Sequence, residues 1–255
     1  MKSKHLSFAV LLWCLNMITQ AAQAQLEVGV SGGYTNNYLR TSTGYRTFTK
    51  YDNRSGFVIG IPVRYHVNNW LAIQADPSYI QKNYEIKRTH FYDGIYQRNT
   101  ISYIQLPLMA HFSFGGKKLK GFLNAGGYAG YWAGGRIKGV MANVFNSGPD
   151  IPAGEQIYKY LQFNQAYEYN EKYEFDSRRD RRIELGLVGG IGVEYLLADK
   201  FRFFVEGRYY YGLSDQQKNY MVNQIPRYND TYVLQAGCLF SVRNLFHHAP
   251  VAASK

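Results

Sequence analysis

His90, Asp93 and Ser102 are the one set of side chains in this sequence that could supply a base, an orienting acid and a hydroxyl nucleophile. Acyl transfer needs those groups within hydrogen-bond reach of one another. No motif frames them here, and a His near an Asp in a polar loop is ordinarily solvated. His66 and His111 share an expected strand face, as two metal ligands would, but no third ligand accompanies them. Hydrogen-bonded interior histidines account for both. His247-His248 sits near the end of the chain, and Arg178, Arg179, Arg181 and Arg182, interrupted by Asp180, read as a solvated loop. Only 2 Cys are present, Cys14 and Cys238, too few for a disulfide scaffold or a Cys-rich zinc module. These sets specify no catalytic residue, no metal site and no cofactor.

A different set is periodic. Glu27, Arg64, Asp76, Glu194, Arg202, Glu206 and Arg208 each fall on alternate positions between apolar residues. Charges on one face of a strand, with aliphatics on the other, require two different surroundings on the two sides of a sheet.

The strands that carry them follow from the same period. Leu26, Val28, Val30 and Tyr34 alternate with Glu27, Gly29, Ser31 and Gly33. Seven further runs repeat the pattern: Phe57–Val67, Trp70 to about Lys87, Ile101–Phe114, Lys120 to about Arg136, Ile183–Tyr195, Phe201–Tyr211 and Thr231–Val242. Short turns at Asn68-Asn69, Gly115–Lys118 and Ala198–Lys200 alternate with long polar segments, of which Ile137–Asp180 is the longest. Short turns on one side and long loops on the other are the signature of an outer-membrane barrel. The fold expected is all-β: an eight-stranded antiparallel up-and-down transmembrane β-barrel with four long extracellular loops and short periplasmic turns. An even strand count puts both termini in the periplasm.

Composition agrees. The chain has 255 residues with 24 Tyr and 25 Gly, favouring sheet over helical bundle. Tyr34, Tyr79, Tyr131, Tyr209 and Tyr211 fall near long-loop ends, and Tyr65, Trp70, Phe112, Tyr195, Phe201 and Phe240 near short-turn ends. Two such bands suit two membrane interfaces. Phe122, Tyr128, Trp132 and Phe204 share the inner face, where an eight-stranded lumen is filled by side chains. Pro62, Pro77 and Pro107 interrupt expected strands, so bulges are expected there.

Lys2 and Lys4 precede an apolar stretch from Leu6 to Ile18, and Ala22-Gln23-Ala24 has the small-x-small form of a signal-peptidase site. Residues 1–24 are therefore expected to be a signal peptide, 25–242 the barrel and 243–255 a periplasmic tail. The formal charge of +11 suits anionic lipid headgroups or solvated loops better than nucleic acid, which an exported chain rarely meets.

The segments LAIQADPSYIQKNYE (71–85), ISYIQLPLMAHFSF (101–114), GFLNAGGYAGYWAGG (121–135), ELGLVGGIGVEYLLADKFRFFVEGRYYYGLSD (184–215) and VLQAGCLF (233–240) resemble the PorT-like outer-membrane β-barrel family of the Bacteroidetes. That resemblance implies an eight-stranded outer-membrane barrel with no catalytic residues to carry over, in a family with a member implicated in protein secretion. Such barrels end on the last strand's aromatic, whereas here residues follow Phe240, so Phe240 and Phe246 compete for the terminal insertion signal. The function expected is non-enzymatic: structural or interactive, with a part in secretion or adhesion. The alternatives are an outer-leaflet enzyme acting on lipid or peptide, and a narrow pore. Expected partners are outer-membrane lipid, lipopolysaccharide and other envelope or secretion proteins, for a monomer that binds no nucleic acid. Mass spectrometry of the exported protein should find Gln25 at its N-terminus, and retention of Lys2 and Lys4 would contradict cleavage.

Overall fold

The computed structural model describes residues 26–41, 48–90, 93–142, 166–197, 201–222 and 224–242. The expected signal peptide, the Ala198–Lys200 turn, Phe246, His247-His248 and the 243–255 tail lie outside the described residues. Twelve strands are present among those described. They are β1 (Leu26–Thr41), β2 (Thr49–Gly60), β3 (Val63–His66), β4 (Leu71–Ala75), β5 (Ser78–Gln81), β6 (Tyr84–Arg88), β7 (Tyr96–Gly115), β8 (Leu119–Ala142), β9 (Ala166–Lys172), β10 (Ile183–Leu197), β11 (Phe201–Gly212) and β12 (Arg227–Ser241). No helix of the described residues is long and apolar enough to cross a membrane.

Every pairing is antiparallel, and the ladder returns to its start. β1 pairs with β2 and β3 on one side and with β12 on the other. The path between runs through β4, β5 and β6 to β7, then to β8, β10, β11 and β12. β9 extends the β10 side along the far end of β8. Counting β2–β3, β4–β6 and β9–β10 as single staves gives a ring of eight.

Several segments expected as polar loops are strand. β1 continues through Asn36-Asn37 to Thr41, β2 already begins at Thr49, and β8 and β9 form a hairpin inside the supposed 137–180 loop. Thr35, Asn37, Leu39 and Thr41 keep facing inward while Asn36 and Arg40 lie on the outer side. Where a strand's outer face meets water instead of an apolar medium, its residues turn polar, and the period-two signal disappears although the strand does not.

The prolines are accommodated differently from expectation. Strands break at Pro62 and Pro77, but β7 runs through Pro107 without a bulge, and its irregularity falls at Ser102/Tyr103. The Pro carbonyls still accept: Gly29 N–H donates to Pro62, Ile61 to Pro77 and Asp76 to Pro107, at 2.9, 3.0 and 3.2 Å. In an antiparallel strand a residue's N and O point to the same neighbour. Pro107's missing donor therefore faces the break at Asp76-Pro77, where the ladder is already open. Pro62 and Pro107 stand opposite Asp76 from the two neighbouring staves, one residue before Pro77.

The two faces of the ring have opposite character. Val30, Ile59, Ile104, Leu106, Leu108, Leu187, Ile191 and Leu234 are exposed on the outside, while Arg64, Lys82, His111 and Glu194 are buried inside. Glycine shapes that interior. Gly186, Gly192 and Gly237 stand opposite Tyr128, Phe122 and Phe204 on neighbouring strands, and each ring lies where a glycine's Cβ would be. A valine at Gly237 would meet the Phe204 ring 2.6 Å from its Cβ. Gly237→Val should therefore destabilise the fold by about 1–3 kcal/mol, read as a lower urea midpoint in vesicles.

Candidate functional site

Two polar clusters and a cap fill the ring. The first, toward the short-turn end, contains all seven charged residues picked out by their period. Glu194 sits between two guanidiniums, at 2.7 Å from Arg64 Nη1 and 2.7 Å from Arg202 Nη1. Arg202 also reaches Glu27 at 3.0 Å, and Arg64 lies 3.8 Å from it. Arg208 binds both Glu206, at 2.7 Å, and Asp76. Two carboxylates sharing one guanidinium leave an excess negative charge, and amide donors meet it. Gln74 Nε2 donates to Asp76 at 3.0 Å, Asn124 Nδ2 to Glu206 at 2.6 Å and Gln235 Nε2 to Glu206 at 3.1 Å. Arg64 additionally donates to Gln74 Oε1 at 3.0 Å. Arg202 and Glu206 both lie diagonal to Glu194 in the β10–β11 register; Arg202 binds it, while Glu206 pairs with Arg208 instead.

The second cluster was not singled out from sequence. Lys82 is fully buried and donates to Glu184 Oε1 at 2.5 Å. Tyr128 hydroxyl reaches the same oxygen at 2.6 Å, and Asn229 Nδ2 reaches the other at 2.8 Å. The rings of Tyr128, Tyr103 and Tyr210 surround the ammonium at 4.6, 5.0 and 5.8 Å, a cation–π arrangement that partly replaces lost water. A signal existed: parity carried from Asp76 through Ser78 and Ile80 reaches Lys82, and Glu184 already lay on the inner face.

The other chemistry-bearing residues are not assembled. Ser102 Oγ is bonded to Tyr79 hydroxyl at 2.6 Å, His90 Nδ1 to Thr89 at 3.2 Å, and Asp93 accepts from the Gly94 amide at 3.0 Å. His66 Nε2 lies 3.1 Å from Glu27, and His111 Nδ1 lies 2.8 Å from Asn124. Among the described residues no group of three or more His, Cys, Asp or Glu is placed to hold a metal ion.

Residues 20–217 match the family model described as "Outer membrane protein beta-barrel domain". The chain belongs to that family. This outer-membrane β-barrel protein is also similar to OprG from Pseudomonas aeruginosa, at 11% identity over 86% of this chain and 97% of that one, with a TM-score of 0.45. Outer membrane protein W of E. coli gives 12%, 86%, 98% and 0.44, and Neisserial surface protein A gives 14%, 84%, 96% and 0.41. No curated protein matches the sequence.

The barrel's long-loop end carries the cap, built from part of the stretch expected to be a solvated loop. Asp180 is buried and accepts from Arg179 Nε at 2.8 Å, Tyr173 hydroxyl at 2.9 Å and the Asp176 amide at 2.9 Å. Arg182 stacks over Phe175 and Tyr131 at 4.1 and 4.4 Å and donates to the Trp132 carbonyl. Aromatic packing holds this segment against the barrel: Trp132 packs on Tyr173 and Phe175, with ring centroids 4.8 and 5.1 Å apart, and gives the arginine-rich segment something to cover. The amides of Arg181 and Lys218 pair with the carbonyls of Gln216 and Arg179, tying this segment to the one after β11. Between cap and strand ends lies a cavity of about 440 Å³. Its floor, which includes Asn99, Trp132 and Gln216, is buried, and its rim, which includes Glu171 and Tyr220, is exposed.

Two outcomes follow. Glu194→Ala leaves Arg64 and Arg202 facing each other without their shared carboxylate, and should cost about 3–5 kcal/mol, measured by urea unfolding in vesicles. Burial pushes the Asp180 carboxyl up, but the hydrogen bonds from Arg179, Asp176 and Tyr173 outweigh it and hold it below the usual carboxylate range. A carboxylate depressed in the folded state stabilises above its unfolded pKa, and that contribution is lost as pH falls through the folded value. Amide exchange at Arg179–Arg181 should accelerate in acid beyond its intrinsic trend. In Asp180→Asn it should already be fast at neutral pH and lack that acid dependence.

Proposed function

We propose that the protein is a non-enzymatic, eight-stranded transmembrane β-barrel that is closed to steady conduction and works by what it presents outside the cell. The reversed polarity of the ring carries this reading. Aliphatic side chains cover the outside, while Arg64 and Lys82 have no exposed surface inside. A soluble sheet would hide the first and hydrate the second. In lipid the arrangement is the stable one, because a closed ladder leaves no unpaired edge in the hydrocarbon.

In this reading 1–24 is a removed signal peptide and both termini lie in the periplasm. The 67–70 and 116–118 turns face the periplasm, and the segments that join β1 to β2, β6 to β7, β8 to β9 and β11 to β12 lie outside. The seven-residue lumen network, with Lys82–Glu184 above it, is a structural plug. The likeness to PorT-like barrels supports an accessory part in secretion or surface adhesion, with outer-membrane lipid, lipopolysaccharide and other envelope proteins as neighbours of a monomer.

Three measurements test it. Planar-bilayer recording of the purified wild-type barrel should show no stable open channel, and a steady conductance would revive a pore. Protease added to intact cells should cut within Ile137–Asp180 and spare the Gly115–Lys118 turn, whereas cutting only after the membrane is opened would reverse the orientation. Leu187→Arg, in the middle of the apolar outer face, should cost about 2–4 kcal/mol and weaken the gel shift between unboiled and boiled protein.

A further inference from the structure

We propose that the vestibule at the long-loop end binds the end of a neutral glycan. The inference rests on the plugged-barrel reading above and adds a ligand class to it. Gln216 of the cavity lining donates to Asn229, which donates to Glu184, so the Lys82–Glu184 cluster lies next to the cavity on its inner side.

The lining decides the chemistry. Only Ile86 and Ile137 are aliphatic, so the cavity is no slot for an acyl chain or an apolar side chain. Three acids, Glu171, Glu174 and Asp180, face three bases, Lys172, Arg179 and Arg227, and the closest pair, Arg179–Asp180, is already neutralised at 2.8 Å. Such a balance gives no net pull on an anion. Planar amides, among them Gln97, Asn99 and Gln217, and tyrosine hydroxyls occupy the remaining polar positions. Arg227 has a shielded Nε with no hydrogen-bond partner and no ion pair among the described residues. Amides, carboxylates and a spare guanidinium together offer donors and acceptors in mixture. Sugar hydroxyls, each able to donate and accept, satisfy that mixture, while the exposed side chain of Tyr220 supplies aromatic surface for the C–H side of a pyranose. A volume of about 440 Å³ lies within the range of small-molecule sites and suits one or two sugar rings.

The test is isothermal titration of the folded barrel in a detergent without a sugar headgroup. The probes are maltose, cellobiose, lactose, chitobiose and inorganic phosphate. At least one disaccharide should bind saturably and stay bound as salt is raised, because uncharged contacts are not screened. Arg227→Ala and Tyr220→Ala should each weaken it about tenfold, the size expected for one good contact, while the unboiled protein keeps its gel shift. Failure of all four disaccharides with a barrel that retains that shift overturns the proposal and leaves the plugged-barrel reading intact. Binding of phosphate alone, abolished by salt, overturns it in favour of an anion site. A wild-type barrel without the gel shift would instead overturn the barrel reading beneath it.

Discussion

Pairing of β1 with β12 is the contact on which everything else in this molecule depends. It joins Glu27 to Ser241 and Thr41 to Arg227, from opposite ends of the described chain, in unbroken antiparallel register. Without it the sheet has two edges, each a row of unpaired amides and carbonyls that hydrocarbon cannot satisfy. With it the sheet acquires an inside. The ion pair between Glu27 on β1 and Arg202 on β11 exists only because closure brings positions 175 residues apart within 3.0 Å.

Closure creates an interior that must then be filled. Charge fills part of it, and the geometry shows why the charges come in groups. A lone guanidinium in that space would be expensive, so Arg64, Arg202 and Arg208 each touch carboxylates, and amides from Gln74, Asn124 and Gln235 supply donors where acids outnumber bases. Aromatic rings fill the rest, and they fit because glycine stands across the ladder from them. The glycine-rich runs of β8 and β10 are thus a packing device: removing a side chain on one strand makes room for a ring from the next.

The fill is not uniform along the ring. The two polar clusters lie inside it, and the cap over Trp132 bounds a cavity of about 440 Å³. Its polar, charge-balanced lining differs from the aliphatic outer wall and from the ion-paired clusters, which is why the proposed ligand site is placed there. The cap's stability rests on Asp180, a single buried acid serving three donors, which couples the shape of the vestibule to one carboxylate.

Alternation along the chain was enough to read the barrel staves, their facing and the seven lumen charges, because a strand's side-chain period is short-range and each residue reports its own surroundings. The short connections between β10 and β11 and between β3 and β4 leave few choices of register: Glu194 pairs with Phe204 and Arg64 with Gln74. The upper extensions of β1, β2, β8 and β9 were not legible, since strands that leave the membrane lose the apolar face that marks them. Which charges touch was decided partly by the hairpin and partly by the ring. Arg202 reaches Glu194, its diagonal neighbour across β10–β11, as counting from the turn anticipates, whereas its second carboxylate, Glu27, is brought to it only by closure. Lys82 and Glu184 lie 102 residues apart and meet only across the lumen. Sequence determined which side chains turn inward, since that depends on neighbours one or two residues away. Tertiary structure decided their partners, since that depends on which strands face each other across a closed sheet.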